Sequence, residues 1–336
     1  MRTPLICLLC LAPSLVVSAC GDDGAAASDG DASTGGAGTD EGTGVGSTTA
    51  DATEGRDSDD SSSSAATTST TADDTAGADS SSTGAGPVGT TPGCGLALDE
   101  ETSSLQLEVN GETRDYLLVR PTPYDPDQAY PVVFAWHGLT GSGAIARAYY
   151  GIEEASAGRA FFLYADGLFQ KPTQGTGWDL SPQGDVLLFD AMLERLANEA
   201  CIDPDRIFST GHSFGSYFSN TLACYRPDVL RAVGGVAGGP SFFQCEATGA
   251  PAAWASHDPA DAVVVFEQGQ DALAQHLERN GCGTTTTPVE PSPCVQYDDC
   301  SEGSPVHWCE HGDGGANGHQ WPTWSGPALW TFFASF

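Results

Sequence analysis

Gly211-His212-Ser213-Phe214-Gly215 carries the strongest chemical signal in this chain. It spells G-x-S-x-G directly after the apolar run Arg206-Ile207-Phe208-Ser209-Thr210. A strand that reverses sharply into a helix leaves the serine in a strained turn, and the flanking positions have no room for a Cβ. Ser213 is therefore the expected nucleophile of an acyl transfer. A tetrahedral intermediate then needs two N–H donors aimed at its developing oxyanion. One is expected from Phe214, the residue after the serine. The other is expected from the Gly-rich loop His137-Gly138-Leu139-Thr140-Gly141-Ser142-Gly143, at Leu139 or Thr140. His137 itself reads as a packing or loop-orienting residue rather than a base.

With such a nucleophile the acid and the histidine follow the serine in chain order. Five histidines lie downstream: His257, His276, His307, His311 and His319. His319 sits in Gly314-Gly315-Ala316-Asn317-Gly318-His319-Gln320-Trp321-Pro322, a Gly-rich loop between the apolar segment 305–309 and the last helix. That setting suits a base, and His311 is the runner-up. His276 falls in mid-helix and reads as a surface residue. Two carboxylates compete for the role of acid, Asp261 and Asp258, both within the loop 256–264. Charge alone does not choose between them. Trp178 and Trp321 lie on loops expected near the site and are candidates to stack on an aromatic acyl group or a sugar ring; the alternative is that both are core aromatics.

The elements that must position these residues alternate. Leu105, Leu107 and Val109 lead to Asn110-Gly111, and Tyr116 and Leu118 continue beyond it, which predicts a hairpin. Apolar runs at 131–136, 160–165, 206–210 and 231–237 read as strands, while Val186, Phe189, Leu193, Leu196 and Ala200 share one helical face. Further helices are expected over 214–225, through Arg279 after Ala262–Phe266, and over 323–336. A hairpin followed by βα units predicts an α/β domain with a mostly parallel sheet and its ligand site at the carboxyl ends of the strands.

Composition bounds the setting. Twelve basic residues against 45 acidic ones, net charge −33, exclude a nucleic-acid binder that works by counterion release. They argue equally against charge-driven adhesion to anionic lipid. Residues 1–20 combine Arg2, an apolar run from Leu5 to Val17, and Val17-Ser18-Ala19-Cys20. That pattern resembles a bacterial lipoprotein signal, with cleavage before Cys20 and acylation of its thiol, so the chain is expected outside the cytoplasm, at the cell envelope, with a lipid anchor as its only membrane contact. Residues 21–93 hold 14 acidic side chains against Arg56, and no aromatic residue, Leu, Ile or Lys. Such a segment is expected to be a solvated, disordered tether with a mean reach of about 50 Å. Residues 94–336 hold every Trp and Tyr and form the expected catalytic domain. Their eight cysteines, in an oxidising compartment, predict up to four disulfides among 105 possible pairings. His307-Trp308-Cys309-Glu310-His311 is a weak pointer to metal; no CxxC accompanies it, and neither metal nor cofactor is expected.

Six strings stand in the order seen in the feruloyl esterase and polyhydroxybutyrate depolymerase-like family of α/β-hydrolases. They are His137-Gly138, Gly177-Trp178-Asp179, Asp203-Pro204-Asp205-Arg206, Gly211 to Gly215, His257 to Val264 and Gly318-His319-Gln320-Trp321-Pro322. The resemblance spans residues 100 to 325 and implies an α/β-hydrolase fold. The segment 257–264 resembles that family's H-G-T-x-D-x-V-V acid loop, which selects Asp261 over Asp258. The later segment resembles its G-H-x-W-P loop, which selects His319 over His311. Ser216 and Asp258 depart from the pattern, each standing where glycine is common. The resemblance implies a serine carboxylesterase acting on feruloyl or acetyl esters of plant polysaccharides, or on short hydroxyalkanoate polyesters. With no binding module after Phe336, soluble or oligomeric esters are the expected substrates. A non-catalytic binding lipoprotein on the same scaffold is the alternative of a different class.

Overall fold

Asn110 and Gly111 both adopt positive φ, 56° and 79°, the geometry that a tight hairpin turn demands. They join β1 (Thr102–Val109) to β2 (Glu112–Val119) in an antiparallel pair. A computed structural model describes residues 91–98, 101–170, 174–245 and 249–336. The signal segment, Cys20 and the tether up to residue 90 lie outside the described residues. Thr91 and Gly93, read as the tether's end, hydrogen-bond to Ala200 O and Ala197 O, each at 2.9 Å.

After the hairpin come β3 (Tyr130–Trp136), α1 (Gly143–Tyr150), α2 (Ile152–Ser156), β4 (Phe161–Ala165), β5 (Leu168–Gln170), β6 (Gly175–Gly177) and α3 (Asp185–Glu199). Then follow β7 (Ile202–His212), α4 (Phe214–Tyr225), β8 (Ala232–Val236), β9 (Ala252–His257), α5 (Phe266–Asn280), β10 (Thr286–Pro288), β11 (Val295–Tyr297), β12 (Val306–Glu310) and α6 (Ser325–Phe333). The main sheet runs β1-β2-β4-β3-β7-β8-β9-β12-β11-β10. Its six central strands, β4 to β12, are parallel, and the strands outside them pair antiparallel.

The central strands are apolar on both faces because helices cover both. Along β3, Val132, Phe134 and Trp136 pack with α3 and α4, whereas Val133 and Ala135 pack with α1, α2 and α6. Four disulfides close loops around this sheet: Cys94–Cys201, Cys224–Cys245, Cys282–Cys300 and Cys294–Cys309. Cys309, part of the weak metal pointer, is thus committed to Cys294. His276 is not a surface residue: it is buried, with Nε2 3.0 Å from Asn220 Oδ1. It occupies the face of α5 turned to the sheet, a placement that helical position alone does not reveal. This doubly covered, centrally parallel sheet is the α/β-hydrolase fold.

Candidate active site

Ser213 lies between β7 and α4 with φ 54° and ψ −118°, a strained turn for a residue with a side chain. The flanking glycines are sterically required. A Cβ on Gly215 would collide with the Trp136 carbonyl, and one on Gly211 with the backbone of Gly215. Ser216, at a position where glycine is common, is buried and fills the space opposite Gly235 and Gly238, which have no side chain to oppose it.

Three segments distant in sequence meet here. Ser213 Oγ is 2.9 Å from His319 Nε2, and His319 Nδ1 is 2.7 Å from Asp261 Oδ2. Asp261 Oδ1 accepts the backbone N–H groups of Val263 and Val264 at 2.8 and 2.9 Å, so the carboxylate is held from both ends. Asp258 plays a different part. Its Oδ1 accepts Ala260 N–H at 2.8 Å and its Oδ2 accepts Gly314 N–H at 2.9 Å, clipping the acid loop to the histidine loop. His311 turns away from Ser213, with Nδ1 accepting the Asp313 N–H at 3.1 Å and its ring against Trp324.

On the other side of the serine, the 137–143 loop is held through its backbone and the His137 ring. Gly167 N–H donates to His137 Nε2 at 2.8 Å, so Nδ1 carries the ring proton and donates to Gly138 O at 2.7 Å. Burial pushes this imidazole towards its neutral form. Thr140, at φ 66°, donates its N–H to Thr176 O at 2.8 Å. That bond corrects one expectation, because the Thr140 amide is already committed. The Leu139 amide makes no hydrogen bond among the described residues, and the Phe214 amide opens α4, where no preceding turn exists to accept it.

Trp178 and Trp321 are both buried, at 2% and 4% exposure, so neither offers an open face to a ligand. Trp178 packs between Trp136 and Phe218 and donates Nε1–H to His137 O at 2.8 Å. Trp321 stacks on Tyr150, with ring centroids 4.1 Å apart. They are supports of the two loops: flanking sequence marks them as near the site but not which way they point.

Sequence reasoning missed three supporting residues. His212, the variable residue of G-x-S-x-G, donates Nε2–H to the His319 carbonyl at 2.7 Å. Burial pulls its pKa down to about 4, which keeps that ring neutral. Tyr150 donates its hydroxyl proton to Trp136 O at 2.7 Å and accepts His212 N–H at 3.1 Å. Tyr149 OH accepts the Trp321 N–H at 2.7 Å. His212 was within the motif; nothing in the sequence marked Tyr149 and Tyr150. A cavity of about 650 Å³, lined by Arg120, Arg147 and Glu153 among others, shares no residue with this assembly.

The chain is 30% identical over 251 residues to feruloyl esterase D of Neurospora crassa, covering 68% of this chain and 84% of that protein. It is 31% identical over 199 residues to a probable feruloyl esterase C of Aspergillus niger, covering 57% and 70% respectively. An acetyl xylan esterase from Aspergillus awamori superposes with a TM-score of 0.57 at 15% identity over 69% of this chain and 99% of that one, a likeness of fold. No protein-family model matches the chain. On sequence and fold together, this chain belongs to the feruloyl esterase family.

Proposed function

We propose that this chain is a serine carboxylesterase that cleaves feruloyl or acetyl esters of plant polysaccharides or their oligomers. The observation that carries the reading is the continuous line from Asp261 Oδ2 through the His319 ring to Ser213 Oγ, with links of 2.7 and 2.9 Å. The names of the relatives supply the substrate class.

With Nδ1–H donated to Asp261, His319 presents an unprotonated Nε2 to the serine hydroxyl. Nε2 takes the Ser213 proton as Oγ attacks the ester carbonyl. The oxyanion forms within reach of the Phe214 and Leu139 amides, donors in place before charge develops. Asp261 stabilises the imidazolium without taking its proton. His319 then protonates the leaving alcohol, and water, activated in the same way, releases the acid from the acyl-enzyme.

The deciding experiment compares hydrolysis of methyl ferulate, acetylated xylan and hydroxybutyrate oligomers by the wild type and Ser213→Ala. Turnover of the first or second substrate is expected, with at least about a 10⁴-fold loss on substitution. Equal turnover in the two proteins removes Ser213 from the mechanism, and hydrolysis of the oligomers alone replaces the substrate class. The same reading places the enzyme outside the cytoplasm, tethered through a lipid on Cys20. The pairing of all eight described cysteines fits an oxidising compartment. Mass spectrometry of the mature N-terminus is expected to find an acylated Cys20, and an unmodified N-terminus rejects the anchor.

A further inference from the structure

Asp261 Oδ2 faces two imidazoles, not one. His319 Nδ1 is 2.7 Å away and His257 Nε2 is 3.2 Å away. His257 ends β9 and is 1% exposed. The same Nε2 is 2.9 Å from Val264 O. A carboxylate and a carbonyl only accept, so Nε2 carries the ring proton, bonded to Val264 O with Asp261 Oδ2 alongside. On its other edge the ring abuts Gly269 of α5, where a Cβ would collide with Nδ1, and Phe266 meets it edge-on at 5.8 Å. The His257 backbone is held as well, its carbonyl accepting His311 N–H at 3.2 Å. This ring therefore has one orientation, and that orientation sets Nε2 beside the oxygen used by His319.

We propose that His257 is a positioning residue of the Ser213–His319–Asp261 assembly, its Nε2–H holding Asp261 Oδ2 in line with His319 and partly neutralising the charge on that shared oxygen. The proposal rests on the reading in which those three residues act as a triad. With Oδ1 held by two backbone amides and Oδ2 by His257, the carboxylate cannot rotate away when the His319 ring moves with its proton. The His257 donor also tempers the pull of Asp261 on the imidazolium. The titratable groups facing His257 are Asp261 on the acid loop, His319 on the histidine loop, His311 after β12 and His212 at the end of β7, while α5 presents Phe266 and Gly269. His319 also faces His212, which burial keeps neutral. Burial pushes His257 towards its neutral form too.

The test has two readouts. In the wild-type protein labelled with ¹⁵N-histidine, His257 is expected to remain a neutral Nε2–H tautomer from about pH 6 to 9. An Nδ1–H tautomer, or titration within that range, overturns the proposal. In the ester assay His257→Phe keeps the bulk and removes the donor, while His257→Gln restores an amide donor near the same place. The Phe variant is expected to lose about tenfold in kcat with KM changed less than about twofold, and the acid limb of its kcat/KM profile to move up by about half a pH unit. The Gln variant is expected to recover most of both. Equal losses in both variants with an unmoved acid limb, or no loss in either, reduce His257 to a packing residue and overturn the proposal. Should the Phe variant not fold, His257→Asn, whose shorter amide falls short of Asp261, takes its place. Ser213→Ala is assayed alongside: turnover equal to wild type sinks the triad itself, whereas the tautomer measurement reports on the His257 contact regardless.

Discussion

The two sides of Ser213 are built on different principles. On the acid and histidine side, side chains bind the loops together. Asp258 clips Gly314, His212 holds the His319 carbonyl and His257 reaches Asp261. On the side of the 137–143 loop the groups held are that loop's own backbone amides and carbonyls. Thr140 pairs with Thr176, Thr176 Oγ1 donates to Gly141 O at 2.7 Å, and Trp178 holds the His137 carbonyl. On the first side the Asp261 carboxylate and the His319 ring are each held at two points. On the second side the Leu139 amide is uncommitted while the Thr140 and Gly141 amides beside it are engaged. A side chain can be fixed only by partners; a backbone donor is made available by engaging the amides around it.

That contrast can be broken in graded steps. Asp261→Asn keeps the shape and removes the charge, and is expected to lower kcat by about 10³- to 10⁴-fold with little change in KM. A loss of less than about tenfold would transfer the acid role elsewhere. Asp258→Ala leaves the buried Gly314 amide and the part-buried Ala260 amide without their acceptor. It is expected to destabilise the protein by about 2 kcal/mol and to lower kcat about tenfold, because the histidine loop loses its tie to the acid loop. Denaturant titration and steady-state kinetics check both, and unchanged stability would mean the clip contributes nothing. Trp178→Phe keeps the packing and removes the donor to His137 O; a loss of only about two- to fivefold in kcat is expected, since backbone contacts still hold that loop. A loss as large as that of Asp258→Ala would erase the proposed difference between the two sides.

A separate expectation concerns stability against pH. Burial lowers His212, His276 and His307 from their ordinary value of 6.5 to about 4. Below pH 6.5 the unfolded chain takes up protons that the folded chain refuses, so stability is lost as pH falls from about 6.5 towards 4 and is fully present above that window. Thermal denaturation across pH 4 to 8 is expected to show a Tm that falls through this interval, less steeply in His276→Gln. A Tm flat from pH 7 to 4 would contradict the burial of these rings.

Much of this was legible because the signals are local. The hairpin at Asn110-Gly111 needs two residues tolerant of positive φ, and the elbow at Gly211 to Gly215 needs two without Cβ; both demands are met within five residues. Helix α4 runs over Phe214–Tyr225 as its pattern predicts, and α3 follows the 3.6-residue apolar face. The illegible part is orientation. Trp178 and Trp321 carry the composition of a ligand platform, yet their rings point inward because Trp136, Phe218 and Tyr150 offer them buried partners. His276 sits on a helix whose inward face could not be assigned before the sheet was in place. Leu139 and Thr140 are adjacent, and the conformation that committed one amide and left the other open depends on Thr176, distant in sequence.

From the sequence alone came the α/β class, the serine at its strained turn, the family resemblance and the pair Asp261 and His319, since each rests on short-range pattern or on the order of motifs. Only the tertiary structure decided which loop amide is left uncommitted, how eight cysteines pair, and that a second imidazole stands beside the carboxylate of Asp261. Those outcomes depend on which groups from remote segments arrive within about 3 Å of one another, the range over which a hydrogen bond acts. No local pattern encodes that distance.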